Sequence, residues 1–279
     1  MSGKTVFERQ EGTTISGIHY RVTRSTTSTD PLVLIYGYGG NIGMWPVQLL
    51  ERLAEKFVVV CLDNRGAGQS ICPPTPTDYT VEIMASDVDA VVQRLNLSRF
   101  HLLGYSLGGC IAIQYTHEHP DKVKSLFLLS TTGGGTLWSK PTDSQAAVLG
   151  APKGETLWDM YVSVWETTMS AEALKKYDAT LRELFENSQA YITPNDALMG
   201  HLHAFRNFDG SKFLQQIDVP VTVFTGADDR LIPAQNSVNL VQQLPHAKHI
   251  QVPKCEHYPH VEAQDLLLAE IFALCDSAK

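Results

Sequence analysis

Six short apolar runs, rich in Val, Ile, Leu and Phe, alternate along the chain with longer segments of helical period. The runs are continuous rather than alternating, which is typical of parallel strands that are covered on both faces. They span residues 32–36, 57–63, 100–105, 123–130, 219–226 and 249–252. Segment 15–22 alternates roughly instead, and it predicts a half-exposed antiparallel strand at the edge of the sheet.

The segments between these runs predict helices. In residues 80–95 the apolar positions Met84, Val88, Val91 and Leu95 step by four, three and four, which places them on one helix face. Further helical patterns cover 107–119, 235–243 and 261–274. Alternation of strand and helix predicts an α/β fold, a doubly wound and mostly parallel sheet with right-handed crossovers.

The alternation of strand and helix patterns stops between residues 131 and 216, where no core strand is evident. This stretch opens on loop chemistry, Thr-Thr-Gly-Gly-Gly, and then shows helical patterns near 157–169, 171–185 and 194–208. We therefore expect a helical cap, or lid, over residues 131–216. It would interrupt a core domain whose first part is 1–130 and whose second part is 217–279.

Composition narrows the class of protein. The 279 residues carry a formal net charge of −8 with no basic block, which disfavours nucleic acid as a partner. The sequence contains no run of 18 or more apolar residues, so no membrane span is expected. The N-terminus lacks the features of a signal peptide. The cysteines are scattered and odd in number, which favours free thiols, a cytoplasmic location and no zinc site: Cys61, Cys72, Cys110, Cys255 and Cys275.

The strongest chemical signal is the pentapeptide Gly104-Tyr105-Ser106-Leu107-Gly108, which follows an apolar strand and opens a helix. A serine at such a sharp turn is held above the sheet, and the flanking glycines remove side chains that would clash. The amide groups at the start of the helix face any negative charge that develops there. Ser106 is therefore the candidate nucleophile.

A serine needs a general base and a group that orients it. His257 directly follows the last predicted strand, and Asp228 and Asp229 follow the strand before it. The resulting order of Ser, Asp and His, each at a strand end, is more specific than any single motif. Asp228 is the alternative orienting acid, and His260 is the alternative base.

These motifs resemble the α/β-hydrolase superfamily, nearest to its small esterases, enol-lactonases and carbon–carbon-bond hydrolases. The resemblance covers residues 32–130 and 219 to the C-terminus. The family pattern G-x-x-D-x-x-x-P fits Gly226, Asp229 and Pro233, and it implies that Asp229 rather than Asp228 orients His257. The family glycine before this histidine is replaced by Glu256.

The resemblance also implies an oxyanion hole formed by two backbone amides. One belongs to Leu107, after the nucleophile. The other belongs to Tyr38, in a loop where Tyr36-Gly-Tyr-Gly-Gly stands in place of the usual His-Gly-x-Gly. Another recurrent family loop, residues 63–70, is interpreted as structural, with Arg65 pairing to nearby carboxylates or carbonyls.

Several weaker signals have two interpretations. Trp158, Tyr161 and Trp165 share one predicted helix face, which either packs on the core or roofs an acyl pocket, and Tyr105 is a further candidate substrate contact. His201 and His203 lie two apart on a predicted helix and so do not face one metal. Cys110 and Cys255, although close to site residues, are expected to be inert.

The sequence thus predicts a serine hydrolase, without metal or cofactor, that cleaves a small carboxylic ester through an acyl-enzyme. The same three residues would also serve a lactonase or enol-lactonase, a carbon–carbon-bond hydrolase or an acyltransferase. A small-molecule receptor with vestigial turnover is the alternative from another class. The substrate and the oligomeric state are left open.

Overall fold

One mixed sheet organises the molecule. The computed structural model describes residues 7–141 and 153–278. Within them the strands pair in the order β1-β2-β4-β3-β5-β6-β7-β8, with β1–β2 and β2–β4 antiparallel and the remaining pairs parallel. The strands are β1 (Glu8–Thr13), β2 (His19–Arg24), β3 (Asp30–Ile35), β4 (Phe57–Leu62), β5 (Phe100–Tyr105), β6 (Val123–Leu129), β7 (Val221–Gly226) and β8 (Ala247–Val252).

Helices cover both faces of this sheet, as the doubly wound pattern predicts. Along β3, Val33 packs in the apolar layer under α2 and α3, whereas Leu34 packs in the opposite layer under α1 and α10. The strand is apolar at successive positions because both of its faces are buried. The described helices are α1 (Val47–Ala54), α2 (Val81–Arg94), α3 (Leu107–Glu118), α4 (Leu157–Thr168), α5 (Ala171–Lys176), α6 (Asp178–Ser188), α7 (Asn195–Asn207), α8 (Gln235–Gln243), α9 (Pro259–Glu262) and α10 (Gln264–Ser277).

All six apolar runs form strands of the sheet, but the expectation for segment 15–22 was wrong in position. Its strand begins only at His19 and is not the edge, because β1 pairs outside it. The residues of β1, ERQEGT, are almost all exposed, so no apolar pattern marks them. Helix α1 was also missed, and the predicted helix over 261–274 is divided into α9 and α10 by Ala263.

Helices α4 to α7 lie between β6 and β7, and the described part of 131–216 adds no strand to the sheet. The segment approaches the carboxyl ends of the strands, since a Cβ on Gly39, in the loop after β3, would lie 2.7 Å from Leu198 of α7. Its role as a cap or lid stays a prediction. Among the described residues, none of the helices has the length and apolar character needed to cross a bilayer.

Candidate active site

Ser106 lies at the junction of β5 and α3 in a strained backbone conformation. Its φ of 54° and ψ of −121° fall outside the regions that L-residues ordinarily adopt. The surroundings hold it there: its amide donates to the Leu129 carbonyl at 2.9 Å, and its carbonyl accepts from the Thr131 hydroxyl at 2.6 Å. Strain enforced by neighbouring hydrogen bonds fixes the direction of the Ser106 side chain.

Two glycines allow the backbone to close around this turn. A Cβ on Gly108 would lie 2.2 Å from the carbonyl oxygen of Ile35, so α3 could not approach the end of β3 with any side chain there. A Cβ on Gly37 would lie 2.9 Å from Cβ of Ser106. The loop after β3 therefore packs directly against the candidate nucleophile.

His257 and Asp229 form a buried pair. Nδ1 of His257 lies 2.8 Å from Oδ2 of Asp229, and both residues are at most 5% exposed. The other carboxylate oxygen, Oδ1, accepts the amides of Leu231 and Ile232 at 2.9 and 2.8 Å. Because a carboxylate accepts hydrogen bonds, Nδ1 carries the proton and Nε2 of His257 is left as the acceptor.

The alternative residues occupy different surroundings. Asp228 is exposed. His260 is fully buried, and burial lowers its pKa to about 3. Its Nε2 lies 3.4 Å from the hydroxyl of Tyr36, the residue that replaces the family histidine. Within the described structure Asp229, and not Asp228, contacts His257, and His260 contacts neither acid.

Ser106 and His257 line one cavity of about 680 Å³, a volume usual for a small-molecule site. Tyr38, Tyr105, Leu107, Tyr161 and Trp165 line it as well. Trp158 does not. It packs against Phe185 of α6, with ring centroids 5.1 Å apart, and the guanidinium carbon of Arg182 lies over the Trp158 ring, 4.7 Å from its centroid.

The charge of the cavity wall is one-sided. Most of the lining is apolar or aromatic, but it includes the cations Lys140 and Arg206. Among the described lining residues there is no Asp or Glu. Both cations are exposed. Nζ of Lys140 lies 5.9 Å from the Trp138 ring, and that ring contacts Phe205, the chain neighbour of Arg206, with ring centroids 5.3 Å apart.

Sequence reasoning missed a buried histidine beside the loop after β3. Nδ1 of His201 accepts the amide of Gly39 at 3.0 Å, and its Nε2–H donates to the carbonyl of Arg65 at 2.8 Å. Burial lowers the pKa of His201 to about 4, so the ring is neutral at pH 7. The spacing to His203 excluded a shared metal but carried no sign of these contacts.

Arg65 and Cys110, which were also considered from the sequence, make contacts that suggest structural roles. Arg65 donates to both carboxylate oxygens of Asp87, at 2.7 and 2.8 Å, which confirms its structural interpretation. Cys110 is buried, and burial raises the pKa of its thiol to about 12, as expected of an inert cysteine. All five cysteines are free. The described residues contain no cluster of three or more metal-ligating side chains.

Comparison with known proteins agrees with this geometry. A family model described as the α/β-hydrolase fold matches residues 30–264. A proline iminopeptidase of Lactobacillus acidophilus is 32% identical over 237 residues, covering 77% of this chain and 80% of that protein. The chain therefore belongs to the α/β-hydrolase family.

Solved structures support the same fold. An esterase from Rhodococcus sp. ECU1013 superposes with a TM-score of 0.81 at 23% identity, covering 97% of this chain and 99% of that one. An enol-lactonase from Burkholderia xenovorans LB400 also gives 0.81, at 19% identity, covering 96% and 100%. At these identities the likeness establishes the fold, while the family membership supports hydrolysis as the class of reaction.

Proposed function

We propose that the protein is a serine hydrolase that cleaves a carboxylic ester of a small molecule through an acyl-enzyme. The observation that carries the proposal is the hydrogen-bonded pair of His257 and Asp229, 2.8 Å apart, in the wall of the cavity that also holds the strained Ser106. A nucleophile, a base and a group that orients the base are the minimum set for this chemistry.

In the proposed reaction, Nε2 of His257 takes the proton of the Ser106 hydroxyl as its oxygen attacks the ester carbonyl. The amides of Leu107 and Tyr38 stabilise the resulting oxyanion. His257 then protonates the leaving alcohol, and a water activated by the same histidine releases the acid. Asp229 keeps the proton on Nδ1 and stabilises the imidazolium as it forms.

The lining of the cavity suggests the kind of ester. Its apolar and aromatic walls suit a hydrocarbon acyl chain, and Tyr161 and Trp165 of α4 would cover that chain from the side of the helical segment. Lys140 and Arg206, both exposed, add two positive charges to the lining. An ester that carries an anionic group away from its scissile bond would match this distribution best.

Amide hydrolysis of the kind named for the iminopeptidase relative is less well supported. An N-terminal amine is a cation near neutral pH, and its recognition calls for a carboxylate. The described lining offers Lys140 and Arg206 but no acid. Lactone opening, carbon–carbon cleavage and acyl transfer would use the same three residues.

The test is hydrolysis of p-nitrophenyl acetate, butyrate and octanoate by the wild type and by Ser106→Ala. We expect activity in the wild type and a loss of about 10⁴-fold or more in the variant. Ser130→Ala is the matched control, because Ser130 is also buried, has no hydrogen-bond partner for its hydroxyl and does not line the cavity. Activity that survives Ser106→Ala would refute the proposed nucleophile.

A further inference from the structure

The loop after β3, which holds Tyr38, is hydrogen-bonded to the helical segment through both the amide and the carbonyl of Gly39. The amide of Gly39 donates to Nδ1 of His201 at 3.0 Å, and the carbonyl of Gly39 accepts from the hydroxyl of Thr193 at 2.8 Å. His201 lies in α7, and Thr193 lies just before that helix. Both polar groups of the Gly39 backbone are thus bound by side chains from outside the core.

The same segment also holds the next residues of the loop. Nδ2 of Asn41 donates to the carbonyls of Ser188 and Tyr191, at 3.2 and 3.1 Å, and Asn41 is buried. A Cβ on Gly43 would lie 2.3 Å from the carbonyl oxygen of Asn187, so the two chains are in close contact there. Residues 187–201 therefore line the loop over residues 39–43.

His201 connects this segment to the core as well. Its Nε2–H donates to the carbonyl of Arg65, at 2.8 Å, and Arg65 is itself bound to Asp87 of α2. With one ring nitrogen accepting and the other donating, the neutral ring uses its full hydrogen-bonding capacity. His201 is at 0% exposure, so neither bond competes with water.

The loop needs such support because of its backbone. Gly39 has a φ of +65°, and glycine is the residue with the widest choice of backbone conformations. The peptide plane that contains the Gly39 amide adjoins Cα of Tyr38, whose own amide lies on the other side of that Cα. A shift of the Gly39 backbone would displace Cα of Tyr38, to which the Tyr38 amide nitrogen is bonded, and would thereby move that amide.

We propose that His201 and Thr193 are positioning residues that hold the Gly39 backbone and thereby aim the Tyr38 amide at the oxyanion. This role rests on the serine-hydrolase function proposed above. Neither residue touches the reacting atoms. The oxyanion hole is then complete only while the α7 end of the helical segment is docked on the core.

Two substitutions of His201 separate its two hydrogen bonds. In His201→Asn the amide oxygen takes the place of Nδ1 and can still accept from Gly39, while in His201→Gln the amide nitrogen takes the place of Nε2 and can still donate to Arg65. We expect kcat for a p-nitrophenyl ester to fall about 10- to 100-fold in His201→Gln with KM little changed, and to stay within about 3-fold of wild type in His201→Asn.

The matched control is His203→Gln, which changes the neighbouring histidine of α7 whose only described partner is Asn207. Its kcat should equal that of the wild type. Thr193→Val should lower kcat as His201→Gln does, and Thr193→Ser should restore it. If one variant does not fold, the other residue still provides the comparison.

A second measurement separates positioning from general damage. A trifluoromethyl ketone forms a tetrahedral adduct whose oxyanion occupies the same hole, so its Ki should rise in proportion to the loss of kcat/KM across the variants. Equal kcat in His201→Asn and His201→Gln would overturn the proposal. So would losses that follow the melting temperature, or that appear in KM alone.

Amide hydrogen exchange tests the proposal without turnover. The Gly39 amide should exchange at least 10-fold faster in His201→Gln than in His201→Asn, because only the first loses its acceptor. A wild type inactive on every ester would refute the proposed function, while this difference would still establish the restraint on the loop. Equal exchange in the two variants would overturn the inference even in an active esterase.

Discussion

The Asp229→Asn substitution tests the candidate triad through one feature of its geometry. In the wild type, Oδ1 of Asp229 accepts two backbone amides, of Leu231 and Ile232, and Oδ2 faces Nδ1 of His257. An asparagine has one oxygen and one NH₂ group. If its NH₂ group faced the two amides, two buried hydrogen bonds would be lost, at about 1 kcal/mol or more each.

The backbone therefore decides how the asparagine is oriented. Its oxygen stays on the amides of Leu231 and Ile232, and its NH₂ group points at Nδ1 of His257. Nδ1 must then accept, the ring proton moves to Nε2, and His257 no longer has a lone pair for the proton of Ser106. Loss of the correct tautomer costs about 10⁴-fold in kcat, or about 5.5 kcal/mol.

The assay is kcat/KM for p-nitrophenyl butyrate near neutral pH, together with the melting temperature. We expect the stability to change little, because the backbone hydrogen bonds of Asp229 persist in the variant. Asp228→Asn is the control, since Asp228 is exposed and should leave kcat unchanged. Asp229→Asn with more than about a tenth of wild-type activity would show that its carboxylate does not set the tautomer of His257.

Two further outcomes follow from charged and titrating groups. The pKa of His201 is about 4 in the folded protein, against 6.5 for an exposed histidine. The unfolded chain therefore binds more protons between these values, and the free energy of unfolding decreases as the pH is lowered from 6.5 to 4. Wild type should lose roughly 3 kcal/mol more than His201→Asn between pH 6.5 and 4 in chemical denaturation, and equal losses would contradict the burial of a neutral ring. Arg206→Gln should lower the ratio of kcat/KM for monomethyl suberate to that for methyl octanoate about 3-fold, and by less in high salt. Lys175→Gln is the control, because Lys175 is also exposed but does not line the cavity, and it should leave the ratio unchanged. An unchanged ratio in Arg206→Gln would refute the anionic preference.

Much of the fold could be read from local patterns. The apolar runs marked every strand from β3 to β8, because the central parallel strands are buried on both faces and are largely apolar. Strand β8, at the edge of the sheet, is only partly buried and keeps Lys248, His249 and Gln251. The same logic fails for β1, whose exposed residues carry no periodic signal, and for this reason the edge of the sheet was assigned to the wrong strand. The turn that carries Ser106 was evident because its glycines are required by contacts within a few residues.

The sequence by itself determined the order of the three candidate catalytic residues, since each follows a strand that its own neighbours mark. Only the tertiary structure distinguished residues that local pattern treats alike. Trp158 and Trp165 share a helix face, yet of the two only Trp165 lines the cavity, while Trp158 packs against Phe185 of another helix. His201 and His203 are two apart in one helix, yet only His201 binds Gly39, 162 positions away. Contacts of that separation depend on how the helical segment lies on the sheet, and no local spacing encodes them.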